Sequence, residues 1–136
     1  MRAVYKQPSA ATKARKAANG GMNDTEVAFA EHLKKRYVQA FEFEPETLAL
    51  PGGAKYTPDF RLCIHDGTRI YFEVKGSKRT KPSKRCPMGN VVPVCTEAAR
   101  LRLKFAAAAY PQHRFIMTWP NRGEWMEKDY SAKGAS

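Results

Sequence analysis

Residues 59–75 constrain the fold of this chain more than any other segment. Two short runs, 59–64 and 69–74, alternate in polarity and flank Asp66-Gly67, which is hairpin composition. Phe60, Leu62 and Ile64 share one face and are matched by Ile70, Phe72 and Val74 on the partner strand, so that face is read as core. The opposite face carries Asp59, Arg61, Cys63 and His65 against Arg69, Tyr71, Glu73 and Lys75. Loop length decides which of these meet. If Asp66-Gly67 alone makes the turn, Asp59 pairs with Val74 and its carboxylate lands on the wrong side. If His65-Asp66-Gly67 is a three-residue loop with Gly67 left-handed, Ile64 faces Thr68 and Asp59 faces Glu73. The second register gathers two carboxylates and an amine on one face, and is the one expected.

The elements around this hairpin set the fold class. A helix is expected from Asn23 or Asp24 to about Tyr37, with Phe29, Ala30, Leu33 and Tyr37 as its apolar stripe. Glu26 lies on that stripe, four before Ala30, whereas Glu31, Lys34 and Lys35 point to water. A strand-like run over 40–50 holds Phe41 and Phe43 and stops at Pro51-Gly52-Gly53. A second helix is expected over 96–110, with Ala98, Leu101, Phe105 and Ala108 buried and Arg100 and Lys104 on another face; a last strand covers 114–119. The order helix, three strands, helix, strand gives an α+β, mixed α/β layered domain. Its length is that of one domain, divided as a basic flexible arm over 1–21, a core over 22–120 and a tail over 121–136 without clear period.

Charge narrows the partner. The chain has 24 Lys and Arg against 13 Asp and Glu, a formal net charge of +11, and such a field attracts polyanions. Nucleic acid is the first partner to consider and an anionic membrane surface the second. The apolar runs are too short to span a bilayer, and the basic N-terminus has no apolar region of the secretory kind. Two acid-free stretches concentrate the charge. One is the arm, with Arg2, Lys6, Lys13, Arg15 and Lys16, which reads equally as a solvated tail or as a phosphate-tracking arm. The other is a loop over 76–90 with Lys78, Arg79, Lys81, Lys84 and Arg85. Cys63, Cys86 and Cys95 are odd in number and lack the close ligand pair of a zinc site, which fits free thiols in a reducing, cytoplasmic compartment.

The chemistry-bearing segments are Tyr56-Thr57-Pro58-Asp59-Phe60 and Phe72-Glu73-Val74-Lys75-Gly76. Glu73 and Lys75 are two apart on a strand and project from one face, where Asp59 joins them. Two adjacent carboxylates repel unless a cation sits between them, and a hard ion such as Mg²⁺ prefers carboxylate oxygen, water and phosphate. Beside such a site Lys75 can position or deprotonate a water, or stabilise a pentavalent phosphate. Tyr71, Trp119 and Trp125 could stack on exposed bases, although Tyr71 and Trp119 fit packing better.

Pro58-Asp59 with Glu73-Val74-Lys75 resembles the signature of the PD-(D/E)XK nuclease superfamily, and the element order over 26–119 is similar to that family's core. The wording of both segments is most similar to small phage-encoded endonucleases that resolve branched DNA, of the Holliday-junction resolvase type. The resemblance implies a restriction-endonuclease-like fold and a Mg²⁺-dependent DNA endonuclease, with Mn²⁺ as a substitute ion. It implies Asp59, Glu73, Lys75 and a first-helix Glu26 as catalytic residues, with Asp59, Glu73 and Glu26 as metal ligands. Lys78, Arg79, Lys81, Lys84, Arg85, Arg100 and Lys104 would contact phosphates. A homodimer would supply the two sites that a four-way junction requires, and the Gly52-Gly53 pair could act as a hinge for swapping the first helix and strand between subunits.

Overall fold

Alanine-rich sequence over Ala10–Ala18 favours a helix, and this segment forms α1 instead of the flexible arm expected from its charge. The chain turns after α1 at Gly20 and Gly21, both at positive φ, with the Gly21 N–H returning to the Lys16 carbonyl at 2.8 Å. Helix α2 follows over Asp24–Arg36 and buries Phe29, Ala30, Leu33 and Glu26; of the expected stripe only Tyr37 falls away, half-buried just beyond the helix end. The computed structural model describes residues 10–37 and 40–132; Arg2 and Lys6 of the expected arm lie outside them. Residues 1–36 form one compact unit and 37–136 a second.

The second unit contains strands β1 (Phe41–Phe43), β2 (Leu48–Ala49), β3 (Lys55–Tyr56), β4 (Phe60–Cys63), β5 (Arg69–Val74), β6 (Ser77–Arg79) and β7 (Val91–Pro93). Helix α3 (Glu97–Ala109) and strands β8 (Arg114–Asn121) and β9 (Glu124–Asp129) complete it. The main sheet is mixed, in the order β1-β4-β5-β8-β9. β5 and β8 run parallel, and the other neighbours are antiparallel. This is an α+β chain with a mixed central sheet, as the element order implied. No helix among the described residues is long and apolar enough to cross a membrane.

Several segments depart from the sequence reading. The run over 40–50 is not one strand. Glu44 takes a left-handed φ of 44° and donates its N–H to the Asp59 carbonyl, after which the chain leaves β1 and pairs β2 with β3. The Gly52-Gly53 pair forms the turn of that small hairpin, at φ 77° and 80°, clamped by the Leu50 N–H on the Ala54 carbonyl at 2.8 Å. The basic loop over 76–90 starts as a strand: β6 pairs with β7, leaving 80–90 as the connection. The expected tail contains β9, joined to β8 through Arg122 and Gly123, both at positive φ as a two-residue hairpin turn requires.

The face of β5 that the sequence assigned to polar groups is in large part core. Tyr71, Phe115, Met117 and Trp119 pack with Leu48, Leu50, Tyr56 and the α3 residues Leu103, Ala106 and Ala107. Helix α3 therefore buries Ala99, Leu103, Ala106 and Ala107, a face rotated from the expected stripe; Leu101 is 39% and Phe105 53% exposed. Tyr71 stacks on Phe115 with centroids 5.1 Å apart, so Tyr71 and Trp119 are packing residues, not base-stacking platforms.

Beside Tyr71, Glu46 accepts from the Tyr71 hydroxyl at 2.6 Å, from Arg61 at 2.9 Å and from Arg69 at 3.3 Å. Burial pushes the Glu46 carboxyl up, but these hydrogen bonds and the charges of Arg61 and Arg69 outweigh it and hold it below its ordinary value. A depressed pKa adds stability above the unfolded-state value, and that stability is lost as pH falls through the folded one. Glu46→Gln should thus lower the melting temperature at pH 7, with the difference from the parent chain shrinking below about pH 4 in thermal melts.

Candidate active site

The hairpin register is the one that aligns the acids. Phe60 pairs with Phe72 and Cys63 with Arg69, and Asp59 lies one residue beyond that ladder, its N–H on the Phe72 carbonyl at 3.1 Å. The Ile64 N–H donates to the Thr68 carbonyl and Gly67 sits at φ 92°, so His65-Asp66-Gly67 is the three-residue loop. The Asp66 carboxylate accepts from the Thr68 N–H at 2.8 Å, which locks the turn and lowers its pKa. Asp59 stands just before β4, where the ladder ends. Its Oδ2 accepts from the Val74 N–H at 2.8 Å, fixing the carboxylate against the end of β5.

Glu73 is held from two sides. Its Oε2 accepts from the Tyr56 hydroxyl at 2.6 Å, and its Oε1 lies 3.2 Å from Lys75 Nζ. Burial first, then the charge of Glu73 and the hydrogen bond to it, then the charge of Asp59, push the Tyr56 phenol well above its ordinary value. Tyr56 stays protonated across the physiological range and serves as a fixed donor. The backbone beneath is also pinned, with the Lys75 N–H on the Thr118 carbonyl of β8 at 2.9 Å.

A cleft of about 260 Å³ opens beside these groups, lined by Lys55, Tyr56, Thr57, Glu73, Lys75, Ala99 and Arg102. Sequence reasoning missed Tyr56, Lys55 and Arg102. Tyr56 was visible in the Tyr-Thr-Pro-Asp-Phe segment but had no partner until β3 folded against β5. Arg102 was hidden by the misplaced α3 stripe: it is three residues from buried Ala99, on the edge turned to the cleft. Arg100 and Lys104, the expected phosphate contacts on this helix, do not line it.

Glu26 belongs to the first unit, and its carboxylate has a local task. Its Oε1 accepts from the Asn23 N–H at 2.9 Å while its own N–H donates to Asn23 Oδ1 at 2.8 Å, a reciprocal capping box at the start of α2. Among the described residues no three His, Cys, Asp or Glu side chains converge as a metal-binding group. Asp59 and Glu73 remain as a two-carboxylate set. That suits Mg²⁺, which is commonly bound through one or two carboxylates plus waters and substrate phosphate oxygens.

The basic residues Lys78, Arg79, Lys81, Lys84 and Arg85 are all exposed on the β6–β7 hairpin and its connection. The connection is internally bonded. Thr80 and Asn90 exchange backbone and side-chain hydrogen bonds at 2.7 Å, and the Cys86 thiol donates toward the Gly89 carbonyl and Asn90 Oδ1 at 3.2 Å. Gly89, at φ 71°, is required there, because a Cβ would lie 2.2 Å from the Thr80 carbonyl oxygen. Cys63, Cys86 and Cys95 are free thiols.

No family model and no curated protein matches the chain. A solved structure described as "Crystal structure of SSO0001" is similar over 88% of this chain, at 15% identity and a TM-score of 0.45. The chain spans about half of that protein, 53% of its length.

Removing the Tyr56 hydroxyl tests its hold on Glu73. Tyr56→Phe leaves the packing but frees one carboxylate oxygen. Loss of such an outer support typically costs about 10–100-fold in metal affinity or activity. A divalent ion held on Glu73 would bind that much more weakly in Tyr56→Phe, which calorimetric titration of Mg²⁺ into both chains checks.

Proposed function

We propose that this chain is a metal-dependent endonuclease that hydrolyses phosphodiester bonds in DNA, selecting branched structures and acting as a homodimer. The observation that carries the reading is the hairpin that brings the Asp59 carboxylate onto the Val74 N–H at 2.8 Å, between Glu73 and Lys75 in the chain, with Lys75 3.2 Å from the Glu73 carboxylate. Asp59 and Glu73 are the residues that would hold Mg²⁺ or Mn²⁺. When bound, the ion supplies charge neutralisation at the phosphodiester and a more acidic water. The protein's own groups do the rest. Val74 N–H and Tyr56 hold the two carboxylates in place, so little reorganisation is needed on binding. The Lys75 ammonium, kept beside Glu73, adds a positive charge where negative charge accumulates on phosphorus. The exposed hairpin cations give affinity through phosphate contacts without reading bases.

The preference for branched DNA rests on the resemblance of the two segments to junction-resolving endonucleases. A dimer would supply two sites at fixed spacing, and exposed Val94, Leu101 and Phe105 offer apolar surface for an interface. The experiment incubates the full chain with labelled four-way junction, flap, nicked and linear duplex DNA, each with Mg²⁺ and with chelator, alongside light scattering. Mg²⁺-dependent cutting of the junction by a dimer is expected. Equal cutting of all substrates by a monomer would leave a nicking or repair-type endonuclease, and no cutting would reduce the chain to a nucleic-acid-binding module.

A further inference from the structure

The cleft beside Glu73 carries more positive charge than the cluster of catalytic groups needs. Three cations, Lys55, Lys75 and Arg102, line it against one carboxylate, Glu73. Lys75 is engaged with that carboxylate at 3.2 Å. Lys55 and Arg102 form no ion pair with any described residue. The remaining polar groups do not compensate them. The Tyr56 hydroxyl is committed to Glu73 at 2.6 Å, and the Thr57 hydroxyl meets that of Thr47 at 2.8 Å. Arg102 lines the cleft beside Tyr56 from α3. A concave site with two uncompensated cations, one of them a planar guanidinium, matches a phosphate, whose oxygens accept paired N–H donors.

We infer that Lys55 and Arg102 form a phosphate subsite, which holds the backbone phosphate neighbouring the one that is cut. The inference rests on the endonuclease reading for its position along the strand, and on the cleft alone for its chemistry. The occupant is a phosphodiester of a nucleic acid strand. The cleft, of about 260 Å³, is small and polar rather than an apolar pocket for a drug-sized ligand, which suits a single backbone phosphate. The two cations come from different elements, Lys55 from β3 and Arg102 from α3, so a phosphate held by both would bridge the small hairpin and the helix. The subsite would set where the strand lies relative to Glu73 and Lys75, which makes Lys55 and Arg102 positioning contacts for the scissile bond.

The test separates this subsite from catalysis. Binding of a fluorescein-labelled single-stranded oligonucleotide is followed by anisotropy in chelator, across a salt series, for the full chain and for Lys55→Gln, Arg102→Gln, Arg102→Lys and the control Lys34→Gln. Each lost phosphate contact lowers the slope of log affinity against log salt by about 1. Lys55→Gln and Arg102→Gln should each show that drop, Arg102→Lys should recover most of it, and Lys34→Gln should match the parent chain. Cleavage is then measured on an oligonucleotide with one neutral methylphosphonate beside the scissile position. The replacement should slow the parent chain and add no further loss in Arg102→Gln. Unchanged slopes in both glutamine variants overturn the subsite even if the parent chain cuts DNA. Reduced slopes in a chain that cuts nothing uphold the subsite and remove the endonuclease reading.

Discussion

Glu73→Gln should abolish most Mg²⁺-dependent cleavage, with a fall of at least ~10²–10³-fold in kcat, the range seen when one preorganised charge-stabilising group is lost from an active site. The amide keeps the shape of the side chain and can still accept from Tyr56. What disappears is the negative charge that a divalent ion needs and that Lys75 faces at 3.2 Å. Asp59→Asn should behave alike, since an amide oxygen can retain the Val74 N–H while the charge is gone. DNA binding in chelator should be unchanged or slightly tighter, because each substitution removes a negative charge from a basic surface. Single-turnover cleavage and anisotropy on the same preparations check both halves. Full activity in both variants would remove the site.

Affinity for duplex DNA should fall by roughly 10³-fold or more between 50 and 200 mM salt, as expected for about six or more neutralised phosphates. The exposed cations on β6 and the connection after it supply five candidate contacts, Lys78, Arg79, Lys81, Lys84 and Arg85, and the cleft adds Lys55 and Arg102. None of the five hairpin cations is tied up in an ion pair with a described residue. Replacing Lys81, Lys84 and Arg85 together by Gln should reduce the salt slope by about 3. A flat salt response would mean that binding depends on something other than backbone phosphates.

The hairpin of β4 and β5 was legible in the sequence because three local signals agree. Alternation over 59–64 and 69–74 fixes the faces, Gly67 supplies the left-handed residue, and Asp66 caps the turn. The α2 stripe was legible for the same reason: Asn23 and Glu26 cap the helix and Phe29 and Leu33 lie on its buried side. Glu26 shows the limit of such reading, since a buried acid near a helix start can serve the cap itself. Helix α3 was misread because alanines stand on every face of it, so small residues gave no contrast and the larger Leu101 and Phe105 drew the stripe outward. Strands β6 and β9 left no alternation because β6 is exposed throughout and β9 nearly so. The Tyr56–Glu73 bond joins residues seventeen apart and depends on the β2–β3 turn at Pro51–Gly53, which no local pattern announces.

Strand β5, which bears Glu73, passes through only Lys75 and Gly76 before the chain becomes β6, and the Gly76 carbonyl is tied to the returning strand by the Val94 N–H at 2.8 Å. On the proposed endonuclease reading, grip and chemistry share one uninterrupted backbone, and the number of residues between them matters more than their identity. No atom beyond its chain neighbours lies within 4 Å of a Cβ at Gly76, and its φ is not left-handed, so a side chain would fit there. An inserted residue would instead shift every hairpin cation by one position, sending the side chains of β6 to the opposite face while Glu73 and Lys75 stayed in place. Among descendants of this gene, substitutions should accumulate freely along 81–85, whereas insertions and deletions should be purged from the two-residue link, which on the proposed endonuclease reading is the ruler between holding a strand and cutting it.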